Sequence, residues 1–206
     1  MDAAFRQIPA SVIDSAAHRA LARRTATESM VLLANRGGVL PLTPKIRSIA
    51  LIGPHCNDTS VVLGNYHGIP SKVVTPLEAI TARAALANIT VRYSEGVAVE
   101  GDGLWMLEPV LEIVRASDVA VLCMGLSAKR TGPDGYAGGY VHPALEKESL
   151  DRRTLELPFG QRDLLMGITR QTKTPVVLVA VNGGPLSLEW ELERVDAVLE
   201  AYLTWL

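Results

Sequence analysis

Val119-Ala120-Val121-Leu122-Cys123-Met124 is a run of six apolar residues with no polar position among them. A strand with one face in water alternates apolar and polar side chains. A strand that is apolar throughout is covered on both faces, which is the mark of a parallel sheet lying between layers of helices. Two further runs read the same way, Ser48-Ile-Ala-Leu-Ile52 and Val176-Val-Leu-Val-Ala-Val181. Ile89-Thr-Val-Arg-Tyr93 alternates, and Val195-Asp-Ala-Val-Leu-Glu-Ala201 closes the set. Between these strands lie helical patterns. Pro76 opens one to residue 87, Trp105–Ala116 carries Leu107, Leu111 and Val114 on one side, and Pro158 opens another to Arg170. Residues 186–193 are helix-like. Asp14-Ser15 offers an N-cap, and the pattern predicts a helix from there to Asn35 with Ala20, Leu21, Met30, Val31 and Leu33 on its apolar side. Strands and helices alternate, which predicts an α/β fold, a three-layer α/β sandwich with a mostly parallel sheet.

The bulk composition excludes several classes. The 206 residues suffice for one sizeable domain. Lys plus Arg is 20 and Asp plus Glu is 22, so no basic footprint for nucleic acid exists. No apolar run is long enough to span a membrane, and the N-terminus lacks a signal-peptide pattern. Cys56 and Cys123 are too few for a disulfide scaffold and lack metal spacing. His18, His55, His67 and His142 also show no metal-ligand spacing, and none is assigned a catalytic role. Ile49-Ala-Leu-Ile-Gly53 ends a strand in glycine, but no G-x-G-x-x-G follows, so a dinucleotide is not expected. The expectation is no cofactor, no metal, no nucleic acid and no membrane partner.

The chemistry concentrates in the long loop, 125–157, that follows Val119–Met124. It contains Tyr136 and Tyr140 among glycines. It ends in Leu145-Glu-Lys-Glu-Ser-Leu-Asp-Arg-Arg-Thr-Leu-Glu-Leu-Pro158. Glu146 and Glu148 sit one residue from each other, and Asp151-Arg152 follows. Loops leaving the carboxyl ends of strands are where open α/β sheets place ligands, so a carboxylate there can be a general acid. The same residues also suit a solvated charge cluster ahead of a helix. A second loop, Leu63-Gly-Asn-Tyr-His-Gly68, sets Tyr66 and His67 between glycines, in a position suited to a ligand contact or to turn packing.

Several stretches, in order, resemble glycoside hydrolase family 3. They are Ile8-Pro-Ala-Ser-Val-Ile-Asp-Ser15, Glu28-Ser-Met-Val-Leu-Leu33 with Leu40-Pro-Leu42, Ile49-Ala-Leu-Ile-Gly-Pro54, Leu63-Gly-Asn-Tyr66 and Thr75-Pro-Leu77. Glu146-x-Glu148-x-x-Asp151-Arg152 with Leu157-Pro158, and Asn182-Gly-Gly-Pro-Leu186, complete the series. The flavour is that of its β-xylosidases and β-glucosidases. The resemblance implies that residues 1–13 are a linker leaving a barrel domain absent from this chain. It makes 14–206 the C-terminal α/β sandwich domain, shortened at its C-terminus.

That resemblance implies a fragment or subunit of a retaining β-glycosidase acting on terminal β-xylosides or β-glucosides. Glu148 matches the general acid/base, with Glu146 the alternative. The nucleophilic Asp belongs to the barrel, so the chain alone is expected to be inactive. The implied partners are a β-linked oligosaccharide or glycoside and a family 3 barrel domain in cis or trans. Tyr66, Tyr136, Tyr140 and Arg152 are the expected substrate contacts. A neighbouring Glu146 would raise the pKa of Glu148, whereas Lys147 or Arg152 would lower it. The loop 125–146 is longer than in many members, which leaves the pairing of the two glutamates open. The alternative function is a non-catalytic module that binds sugar or protein.

Overall fold

The computed structural model describes residues 8–63, 69–99, 107–127, 152 and 154–202. Six strands form one sheet: β1 (Val31–Asn35), β2 (Ser48–Ile52), β3 (Thr90–Ser94), β4 (Val119–Gly125), β5 (Val176–Asn182) and β6 (Ala197–Tyr202). Their order is β1-β6-β5-β4-β2-β3. All neighbouring pairs are parallel except β1 with β6. From β2 the chain moves outward to β3, then returns to β4 on the other side of β2. The order therefore reverses between β2 and β4, and a crevice at the carboxyl ends of those two strands is the usual ligand position of such sheets.

The apolar runs are explained by two faces of packing. Ala50, Ile52, Ala120, Leu122 and Met124 pack with Val110, Leu111 and Val114 of α3 (Leu107–Arg115) and with Leu164, Leu165 and Ile168 of α4 (Phe159–Gln171). Ile49, Leu51, Val119, Val121 and Cys123 form the opposite core. Leu77 and Ile80 of α2 (Pro76–Ala85) cover it, together with Val39, Leu40, Leu42 and Ile46. Residues 119–125 are all buried, as a strand between two layers must be. Cys123 is a core residue, as its place in the apolar run suggests.

Two aspartates tie the amino ends of the strands. Asp118 Oδ2 accepts from Arg47 N–H at 2.7 Å, Ser48 N–H at 2.9 Å and Ser48 Oγ–H at 3.0 Å, joining β4 to β2. Those donors hold its carboxyl below the ordinary aspartate value. Asp196 Oδ2 accepts from Val176 N–H at 2.8 Å, joining β6 to β5. Each side chain satisfies backbone donors that the ladder leaves open at its first rung.

One expectation fails. Ser15 does cap a helix, its Oγ accepting from His18 N–H at 3.3 Å. However, that helix, α1 (Ala16–Ser29), stops there, and 31–35 is strand rather than helix. Val31, Leu32, Ala34 and Asn35 lie opposite Glu200, Leu199, Val198 and Ala197. Without this partner the outer edge of β6 would lack hydrogen bonds next to a buried core, and that pairing overrides helical propensity. The apolar side expected for α1 is also not buried, since Leu21 is 50% exposed and no residue of the helix is buried. The stretch at 186–193 contains only one helical turn, α5 (Glu189–Leu192).

Candidate active site

The site expected from the topology is built at the carboxyl ends of β2 and β4. β2 is followed by Gly53, whose φ of 120° and close approach to β4 require glycine. A Cβ there would stand 2.2 Å from Cys123 O. The chain then makes a buried turn, Pro54-His55-Cys56. Cys56 Sγ donates to Ile52 O at 3.1 Å and also contacts Cys123. The adjacent Cys123 side chain, followed by burial, pushes the Cys56 thiol up, so Cys56 does not suit a nucleophile.

β4 ends at Gly125 and Leu126, the root of the long loop. Gln161, in the first turn of α4, is fully buried. Its Oε1 accepts from Gly125 N–H at 2.7 Å, and its Nε2 donates to Gly125 O at 3.0 Å and Val99 O at 2.9 Å. β2 stops at Ile52, opposite Leu122, so Gly125 has no strand partner on that side. The amide of Gln161 supplies the missing donor and acceptor. Leu126 N–H donates to Val181 O at 2.8 Å. His55 Nε2 lies 2.8 Å from Leu126 O, which makes Nε2 the protonated nitrogen because a carbonyl only accepts. Every backbone polar group of residues 125 and 126 is thus bonded.

His55 carries a pH signature. Burial lowers its pKa from 6.5 to about 4. Between those values the unfolded chain holds a proton that the folded chain does not. Stability is therefore full above pH 6.5 and declines as pH falls toward 4, by about 3 kcal/mol in all. Denaturant unfolding between pH 7.5 and 4 should show this slope. His55→Gln should remove most of it relative to the parent chain, and a difference that does not change with pH would contradict the assignment.

The chain returns from the loop at Arg152. Its Nη1 donates to Pro185 O at 2.9 Å and its Nη2 to Glu156 O at 2.5 Å. Ser187 N–H donates to Leu155 O at 2.7 Å, which stitches the same two stretches together. Pro185 belongs to the turn Asn182-Gly-Gly-Pro that follows β5. Beyond it, Arg162 pairs with Glu156 at 2.8 Å and with the buried Glu191 at 3.6 Å, and lies 5.0 Å from the ring centre of Trp190. Burial raises the pKa of Glu191, with Arg162 opposing the rise.

Of the residues the sequence nominates, only Arg152 is among those described. Glu146, Glu148, Tyr66, Tyr136 and Tyr140 lie outside the described residues. No group of three or more metal-ligating side chains occurs among the described residues. Two residues of the site, Gln161 and His55, escape the sequence reading. A signal for Gln161 was available: it shares the spacing of Leu164, Leu165 and Ile168, and so is a polar side chain on the buried face of its helix.

The profile of the glycosyl hydrolase family 3 C-terminal domain matches residues 30–204. The chain belongs to glycoside hydrolase family 3. It is 33% identical over 187 residues to the probable beta-D-xylosidase 7 of Arabidopsis thaliana, covering 90% of this chain and 22% of that protein. It is 36% identical over 197 residues to thermostable beta-glucosidase B of Acetivibrio thermocellus, covering 92% and 23%. The chain thus spans less than a quarter of the length of these family 3 relatives. Among solved structures, a β-glucosidase of Erythrobacter marinus superposes with a TM-score of 0.73 at 30% identity, covering 92% of this chain and 27% of that one. A family 3 exo-beta-xylosidase shares the fold with a TM-score of 0.79 at 24% identity, over 99% of this chain and 24% of that one.

Proposed function

We propose that this domain supplies the general acid/base of a retaining β-glycosidase acting on β-xylosides or β-glucosides, with Glu148 in that role. The observation that carries the reading is the end of β4. It lies where the strand order reverses, and the backbone groups of Gly125 and Leu126, the residues that lead in sequence toward Glu148, are all bonded. Family 3 membership supplies the reaction class.

The chemistry needs two carboxyl groups about 5–5.5 Å apart. One attacks the anomeric carbon as the leaving oxygen takes the proton of the other. Water then cleaves the glycosyl-enzyme, giving its proton back to the second group. On this reading Glu148 shuttles that proton, and a barrel domain provides the nucleophile. The relatives named above include both xylosidases and glucosidases, so both sugars belong in the assay.

The test is hydrolysis of aryl β-xyloside and β-glucoside by the chain alone and after addition of a family 3 barrel domain. The expected result is little turnover alone and turnover on mixing. Turnover by the chain alone would show that it carries its own nucleophile. Silence in both would favour a non-catalytic module. That alternative has one observation behind it: Val31, Leu32 and Leu33 of β1 are 51%, 50% and 47% exposed, an apolar edge suited to a partner.

A further inference from the structure

We infer that Cys56 and Cys123 are a redox-responsive pair that closes to a disulfide between the turn after β2 and strand β4. The inference does not depend on the acid/base assignment.

The two cysteines are far apart in sequence and meet because β2 and β4 are neighbours. Ile52, the last residue of β2, lies opposite Leu122, so Cys123 is the next position of β4. The turn then folds back on the strand end. Cys56 N–H donates to Gly53 O at 3.2 Å, and Cys56 Sγ donates to Ile52 O at 3.1 Å. Gly53 sits so close to Cys123 that an added Cβ would stand 2.2 Å from its carbonyl oxygen. Both cysteine side chains belong to the core cluster on one face of the sheet, and the two thiols are in hydrogen-bonding contact. Core cysteines that serve only as small apolar fillers have no need of each other. A pair in contact, with backbone held on both sides, meets the proximity that a bridge requires. These are the only cysteines of the chain, so an intramolecular bridge has a single assignment.

Cys56 and Cys123 are 0% and 1% exposed, so reaction waits on opening of the turn. Cys56 belongs to a three-residue turn, whereas Cys123 is held in β4 opposite Val179. The turn is the part that gives way, and Cys56 reacts first. The oxidant is a low-molecular-weight disulfide, with oxidised glutathione as the probe. The Cys56 thiolate attacks one glutathione sulfur, and the other glutathione leaves as its thiolate. Cys123 then loses its proton and attacks the Cys56 sulfur of the mixed disulfide, expelling the second glutathione. Two protein thiols are oxidised, and one glutathione disulfide is reduced to two thiols that take up the two protons. The bridge pins His55, the neighbour of Cys56, whose Nε2–H holds Leu126 O. The oxidised chain therefore fixes the crevice at the ends of β2 and β4 more firmly.

The 206-residue chain is incubated in glutathione buffers of graded ratio, both folded and in concentrated guanidinium, then alkylated and analysed by mass spectrometry. Loss of two hydrogens with no added alkyl group reports the bridge. The equilibrium constant for bridging is expected to be about 30- to 1000-fold larger in the folded chain, the range of native disulfides. The bridged chain then unfolds at a higher denaturant concentration, and a thiol reductant reverses the shift. Cys123→Ala should stop at the glutathione adduct of Cys56. No bridge in the folded chain, or a bridged chain that unfolds no later than the reduced one, overturns the proposal and leaves two core cysteines.

Discussion

Glu148→Gln lowers kcat of the barrel-complemented enzyme by about 10²–10⁴-fold, the range of a lost general acid. The loss depends on the leaving group. A nitrophenolate departs without a proton, so its glycoside loses least in the first step. An alkyl glycoside needs protonation of the departing oxygen and loses most. Rates measured over a series of leaving groups therefore give a steeper dependence on leaving-group basicity in the variant than in the parent. The basic limb of the pH profile, which reports the acid, should vanish as well. Glu146→Gln is expected to cost far less. Equal losses from the two substitutions would show that the pair acts as a unit, and a loss confined to Glu146→Gln would move the role to that residue.

Gly125→Ala is expected to destabilise the fold by more than about 4 kcal/mol, the far end of the range for single substitutions. Gly125 has φ of 148°, and a Cβ there would stand 1.9 Å from Val181 O and 2.7 Å from Val181 C. Those atoms belong to β5, which is hydrogen-bonded to β4 on one side and β6 on the other, so they cannot give way. Moving Gly125 instead would break the two hydrogen bonds to Gln161 and the contact at Leu126. Gly37→Ala is the control. It has φ of 62° but nothing within 4 Å of the added methyl, so it should cost only about 1–2 kcal/mol of backbone strain. Denaturant midpoints of the two variants test the difference, and similar values would show that β5 can yield after all.

The same geometry explains why the site depends on the core. Gln161 and His55 are buried polar groups that an apolar residue of similar size could replace without loss of packing. A polar group so placed is costly unless its hydrogen bonds are made. Made in full, as at Gln161, they fix one arrangement of the β4 terminus where an apolar contact would allow several.

Much of this architecture is legible in the sequence. Ile49–Ile52, Val119–Met124 and Val176–Val181 read as doubly covered strands because burial on both faces demands apolar residues at every position, a requirement local to each strand. The capping hydroxyl of Ser15 and the opening proline of α2 are local in the same sense, and so is the motif that carries Glu146, Glu148 and Arg152. What only the tertiary structure decides involves partners distant in the chain. Val31-Leu-Leu33 suits helix and strand alike, and becomes strand because residues 197–200 present an unpaired edge. Arg152 is a charged residue beside a carboxylate cluster in the sequence, and only the fold brings carbonyls at 156 and 185 within reach of its guanidinium. Gln161 reads as one polar residue in a helix until β4 ends opposite it with a free N–H and C=O. Period and hydrophobicity are properties of a segment, and they fix the segment. A hydrogen-bond partner is a property of two segments, and only the folded chain brings them together.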